Sequence, residues 1–253
     1  MKKTLLLVSI ITILFLVGCN KEDSPTEANN SGGSSNQSGQ PMPNFDNSDN
    51  NGVLATINYE TNNPMPNLPP INMNLAFASL GSGVDAGTVS VNNNSLGKLT
   101  ASGKTYYIIP NPSNPFQQLD ISFNSSSHSW NVAGGNGIPA LSGTVVSPNN
   151  FSMTAPANNS SIAKANGMQL TWSGGTSSKI FVQVISKNDP NKTKYYQELS
   201  DNGSYTFSAT DLSGISGECL VYVVKYNYNI SNNDGKKYYI ISEVVKNAAV
   251  TLN

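Results

Sequence analysis

Leu220-Val221-Tyr222-Val223-Val224-Lys225-Tyr226-Asn227-Tyr228 leads through Asn232-Asn233-Asp234-Gly235 into the run from Tyr238 to Val245. Leu220, Tyr222, Val224, Tyr226 and Tyr228 alternate with Val221, Val223, Lys225 and Asn227, the period of two that sets successive side chains on opposite faces of a strand. Asp-Gly accepts the positive φ angles of a type I′ turn, so the stretch reads as a long β-hairpin. Polarity at Lys225 and Asn227, and on the return at Ser242, Glu243 and Lys246, predicts one wet face.

Outward from this hairpin the same grammar repeats. Short β-runs are expected at Phe151–Thr154, Met168–Trp172, Lys179–Ser186, Lys194–Leu199, Ser204–Ala209, Glu218–Ile230 and Lys236–Leu252. Gly167-Met168-Gln169-Leu170-Thr171-Trp172 resembles the second strand of an immunoglobulin or fibronectin type III domain, with Trp172 filling the core. Lys179-Ile180-Phe181-Val182-Gln183-Val184 resembles the third strand, and Tyr205 to Leu212 the fifth with its exit. About seven strands in roughly 100 residues suit that sandwich. The resemblance implies a fold and no activity, because such sandwiches host many functions.

Upstream, runs at Val53–Tyr59, Ile71–Ala78, Gly87–Val91, Lys104–Ile109, Leu119–Phe123, Ser129–Val132 and Leu141–Val146 are separated by Asn-, Gly- and Pro-rich breaks. The expected fold is therefore all-β. One β-sandwich domain spans residues 52–148 and a second, immunoglobulin-like one spans 149–253, with the boundary at Pro148-Asn149-Asn150. No apolar stripe of helical period follows residue 19.

The start of the chain is different in kind. Lys2 and Lys3 precede an apolar run from Thr4 to Val17, and Leu16-Val17-Gly18-Cys19 closes it. Basic, apolar and small-residue regions in that order make a secretory signal over residues 1–18, and the run is shorter than a membrane span. Leu16 to Cys19 resembles the lipobox of bacterial lipoproteins. The resemblance implies cleavage before Cys19 and acylation of Cys19, with palmitate-type chains anchoring the protein. Asn20 stands where enteric bacteria place the Asp of inner-membrane retention, which implies the outer membrane. Lys21-Glu22-Asp23 resembles the export tag of Bacteroidota surface lipoproteins. Residues 19–51, rich in Asn, Ser, Gly and Pro, are expected to form a disordered tether. Such a coil averages about 30 Å end to end.

Composition excludes several function classes. Lys and Arg number 14 against 15 Asp and Glu, a formal charge of −1. Loss of Lys2 and Lys3 with the signal makes it −1 − 2 = −3. No basic stripe exists, so no nucleic-acid partner is expected. Of two cysteines, Cys19 is consumed by lipidation, leaving Cys219 as an unpaired, buried thiol. His128, the single histidine, lies in Ser125-Ser126-Ser127-His128-Ser129-Trp130 without a nucleophile elbow, and reads as a solvent-facing turn or strand-edge residue. One histidine and no cysteine pair leave no zinc site and no cofactor. Asn47 to Gly52 resembles the opening of a calcium loop, but its twelfth position is Asn58 and not Glu.

Three tyrosine pairs remain: Tyr106-Tyr107, Tyr195-Tyr196 and Tyr238-Tyr239. Outward members Tyr107, Tyr196 and Tyr239 are candidates for stacking on a ligand; cross-strand pairing is the plainer reading. The functional expectation is a lipid-anchored, non-catalytic binding or structural module with a glycan or protein ligand. The alternatives are a carbohydrate-binding lipoprotein of a glycan-uptake system, a hydrolase with an unrecognised carboxylate pair, and an envelope assembly or adhesion partner.

Overall fold

The computed structural model describes residues 50–61, 69–174 and 178–253. The expected signal segment, Cys19 and nearly all of the expected tether lie outside them. Among the described residues sixteen strands follow in order: β1 (Asn50–Thr61), β2 (Ile71–Leu80), β3 (Val89–Val91), β4 (Asn94–Ser95), β5 (Gly97–Ala101), β6 (Lys104–Ile109), β7 (Ser127–Val132) and β8 (Leu141–Val146). The second half holds β9 (Ser152–Ala155), β10 (Ser160–Ile162), β11 (Met168–Ser173), β12 (Lys179–Ser186), β13 (Thr193–Ser200), β14 (Ser204–Phe207), β15 (Gly217–Asn233) and β16 (Lys236–Leu252). The expected all-β class is what the chain forms, with sheets packed as sandwiches.

A nine-stranded sheet runs β13-β12-β15-β16-β1-β2-β6-β5, with β10 pairing the far end of β16. Two small sheets, β4-β3-β7-β8 and β14-β11-β9, complete the fold. Trp130, Val132 and Val89 of the first small sheet share a buried core with Leu54, Tyr238 and Ile240 of the large one. Met168, Leu170 and Trp172 of the second do so with Val182, Val221 and Val250. In the second half β9, β11 and β14 face β12, β15 and β16. That split of strands between two layers is the immunoglobulin-type arrangement.

The division expected at residues 148/149 falls where the chain crosses from one small sheet to the other. It does not divide the large sheet. β1 pairs in parallel with β16 from Asn50↔Lys237 to Tyr59↔Val245, so two sandwiches share one backing sheet. The length of the hairpin makes this possible. Each of its strands has 17 residues, about 56 Å at about 3.3 Å per residue. The base serves the second sandwich and the tip serves the first. Asp234 and Gly235 turn it with φ 50° and 72°, the two positive values of a type I′ turn.

The expected wet face of the hairpin is not wet along most of its length. Lys225, Ser242, Glu243 and Lys246 are all buried. Asn227 and Asn229 donate side-chain hydrogen bonds to the Val146 and Thr144 carbonyls at 2.9 and 2.6 Å. Their amides cap the edge of β8, which otherwise would leave those acceptors unpaired. Close approach here also explains Gly143, where an added Cβ would meet Ile240 Cδ1 at 2.2 Å.

Leu119–Phe123, expected as a strand, forms none. Leu119, Ile121 and Phe123 still point into the core in alternation. The Asn74 amide takes the place of a ladder by donating to the Ile121 carbonyl at 3.0 Å. Asn58, the position at which the calcium-loop pattern fails for want of Glu, lies in β1 and bonds Asn72 and Asn74 at 2.8 Å each.

Candidate functional site

A band of polar side chains crosses the covered face of the large sheet where the two small sheets meet. Register builds it. Thr56 of β1 lies beside Ser242 of β16, and Ser242 beside Asn227 of β15. Further along come Lys225 and Lys246 on the same face.

His128 of β7 reaches into this band. It is fully buried, not solvent-facing as the serine-rich setting suggested. Its Nε2 lies 2.9 Å from the Ser122 carbonyl. A carbonyl only accepts, so Nε2 carries the proton and Nδ1 accepts from the Thr56 hydroxyl at 2.7 Å, with Ser242 Oγ at 3.2 Å. Phe123 packs edge-on against the ring at 5.0 Å. Desolvation lowers the imidazole pKa below the ordinary 6.5, which favours this neutral tautomer. Thr56, Ser242 and His128 thus form a hydroxyl–imidazole cluster, but all three have 0% exposure. No substrate atom can approach, and among the described residues no carboxylate orients the ring, so the cluster lacks what acyl transfer requires.

A second network closes the band beneath Trp172. The Trp172 indole N–H donates to Asp201 Oδ1 at 2.7 Å. Lys225 donates to Asp201 Oδ2 at 2.5 Å and to the Gly174 carbonyl, with both charged side chains 1% exposed. Lys246 pairs with Glu60 at 2.7 Å. Phe151 lies between the lysines, its ring centroid 5.1 Å from Lys225 Nζ and 5.9 Å from Lys246 Nζ. These ions are paired, as buried charges must be.

The three candidate stacking tyrosines are not brought together. Tyr107 is fully buried. Its hydroxyl accepts from the Ala86 N–H at 2.7 Å and lies 3.0 Å from Asp85. Burial and that carboxylate push its pKa up to about 12. Tyr196 packs on Tyr205 at 5.2 Å and donates to Asp211 at 2.5 Å. Both face the small sheets. Tyr239 is on the opposite face of the large sheet and also buried. Strand alternation operates as expected, but Tyr107 and Tyr239 are buried on opposite faces of the sheet and half-buried Tyr196 packs against Tyr205 and Phe207. No stacking platform results.

Trp130 and Trp172 are core residues, as expected. Cys219 is a free, buried thiol whose pKa burial raises. Among the described residues no three His, Cys, Asp or Glu side chains stand together as metal ligands, and no helix is long and apolar enough to cross a membrane.

The burial of one group, expected on the wet face of the hairpin, escaped sequence reasoning. Glu243 follows Tyr239 and Ile241 on the face turned away from the small sheets. It is completely buried, and neither carboxylate oxygen has a hydrogen-bond partner. Its signal was its position inside Ile240-Ile241-Ser242-Glu243-Val244-Val245, an apolar run of the kind strands buried on both faces show.

No protein-family model matches the chain, and no curated protein does. Among solved structures, similarity is reported to "Crystal structure of Dpr11 IG1 bound to DIP-gamma IG+IG2", at 8% identity over 79% of this chain and 96% of that one, TM-score 0.21. "Crystal structure of DIP-gamma IG1+IG2" gives 10% identity over 81% and 99%, TM-score 0.21. "Structural insight into host cell surface retention of a 1.5-MDa bacterial ice-binding adhesin" gives 13% identity over 79% and 66%, TM-score 0.19.

Proposed function

We propose that the chain is a lipid-anchored protein of the bacterial cell envelope whose β-body binds a partner and performs no chemistry of its own. The observation that carries this reading is the lipobox Leu16-Val17-Gly18-Cys19, separated from the first strand at Asn50 by a polar, aliphatic-poor stretch. Two or more acyl chains on Cys19 give stable attachment, because each buried CH₂ contributes about 0.8 kcal/mol. Asn20 favours the outer membrane. The burial of His128, Thr56 and Ser242 supports a binding role over a hydrolytic one. With Tyr107 and Tyr239 buried, the glycan-stacking reading loses its motive, and a protein ligand is the better match.

Metabolic labelling with palmitate, followed by fractionation, tests the anchor. The wild-type chain is expected to carry label and sediment with membranes. Cys19→Ala is expected to carry none and to lose membrane association. Equal sedimentation of both proteins would break the reading at its base.

A further inference from the structure

Lys225 and Asp201 are held as two reactants would be. Lys225 stands mid-strand in β15, its backbone fixed between Ile180 of β12 and Val244 of β16. Asp201 follows β13, in a turn that Trp172 holds twice. The Trp172 backbone N–H donates to the Gly203 carbonyl at 2.9 Å, and its indole N–H to Asp201 Oδ1 at 2.7 Å. Lys225 Nζ lies 2.5 Å from Asp201 Oδ2 and also donates to the Gly174 carbonyl, so the amine is tied at two points. Asp201 Cγ is one C–O bond of about 1.2 Å beyond Oδ2, hence no further than about 3.7 Å from Nζ, close to the roughly 3–3.5 Å of a near-attack pair.

Water is kept out of this contact. Both charged side chains are 1% exposed, and buried Trp172 and Phe151 wall them in. Every other ion pair among the described residues has a side chain that water reaches; in Lys246–Glu60 the carboxylate is 32% exposed. Two desolvated charges are costly even when paired, whereas an amide in the same place is neutral.

We propose that Lys225 and Asp201 condense into an amide, an isopeptide bond from Nζ to Cγ made within the folded chain. The ammonium passes one proton to Oδ2 along their hydrogen bond, and the freed Nζ lone pair attacks Cγ. Negative charge gathers on Oδ1, where the Trp172 indole N–H meets it. A second proton moves from Nζ to Oδ2, and the Cγ–Oδ2 bond breaks to release water. Oδ1 becomes the amide carbonyl, and one N–H stays on the nitrogen. Ammonium and carboxylate give amide and water, so atoms and charge balance, and nothing is oxidised or reduced. The walls that exclude water also hinder the reverse hydrolysis. The bond spans 24 positions and ties the exit of edge strand β13 to the central hairpin. From Asn50 onward the chain has one cysteine, Cys219, so no disulfide within the body can do this. The body still turns over no outside substrate. It reacts once, on itself, and the anchor at Cys19 plays no part.

Trypsin digestion of the purified and denatured full chain, read by mass spectrometry, tests this. Lys194, Lys225 and Lys236 are successive cleavage points, so Asp201 lies in the peptide that Lys225 ends. The wild type is expected to resist cleavage at Lys225 and to yield Tyr195–Lys236 lighter by one water, without backbone fragments between Asp201 and Lys225. Asp201→Ala is expected to restore both cleavage and full mass. Trp172→Phe keeps a ring but removes the N–H. With its fold established by circular dichroism, it is expected to carry a joined fraction at least about tenfold lower after equal time. Complete cleavage at Lys225 in the wild type, with Tyr195–Lys225 at full mass, would overturn the proposal. So would loss of water with Lys225 still cleaved, the mark of a succinimide at Asp201, or an unchanged joined fraction in folded Trp172→Phe. Palmitate labelling at Cys19 reads independently of all these results.

Discussion

Glu243 and His128 are buried titratable residues on opposite faces of the large sheet, and they shift stability in opposite directions. Desolvation holds the Glu243 carboxyl well above its ordinary 4.5. In the unfolded chain it ionises above that value, whereas in the fold it keeps its proton. The unfolded state therefore binds fewer protons, and stability is full below about pH 4.5 and falls as pH rises towards the folded pKa. His128 has its pKa lowered, so its contribution is present above the ordinary 6.5 and is lost as pH falls towards the folded value. Replacing only Glu243 separates the two. Urea unfolding of Glu243→Gln is expected to match the wild type near pH 4 and to exceed it by about 1–3 kcal/mol at pH 8. Parallel pH profiles for the two proteins would show that the carboxyl is not held neutral. These residues also mark the limit of local reading. His128 sits among serines and Glu243 beside polar Ser242, so both looked solvent-facing, yet neither has any exposure.

At the scale of elements, the β15–β16 hairpin was legible because its turn and its alternation are local properties. Gly235, at φ 72° with open space around its Cα, carries backbone strain alone when replaced. Gly235→Ala is expected to cost about 1–2 kcal/mol in urea unfolding, and a cost near zero would mean the turn adopts another type. Other element boundaries were equally readable: Lys104–Ile109, Leu141–Val146, Lys179–Ser186 and Lys236–Leu252 form as the pattern predicts. Leu119–Phe123 has the alternation of a strand but finds no ladder, because Asn74 supplies its hydrogen bonds from a side chain. The polar positions of the hairpin carry the same lesson. Asn227 and Asn229 are polar because they cap the edge of β8.

At the scale of the molecule, a shared sheet joins what sequence divided. Trp130 and Trp172 lie under different small sheets, yet both belong to one continuous core with Leu54, Val221 and Ile240. The two sandwiches are therefore expected to unfold together. Trp130→Ala and Trp172→Ala should each lower one common urea transition, by about 3–5 kcal/mol, with near- and far-ultraviolet circular dichroism coinciding. Two resolved transitions, each moved by one substitution, would show that the halves are independent.

Sequence by itself determined the all-β class, most of the strands, the hairpin turn, the burial of both tryptophans and the free thiol of Cys219. Alternation, turn chemistry and apolar runs are short-range signals, and they act within ten residues or so. Only the tertiary structure decided that β1 lies parallel to β16, about 190 positions away in the chain. That pairing turns two expected bodies into one backing sheet, draws His128 beneath the small sheets and leaves Glu243 without a partner on the opposite face.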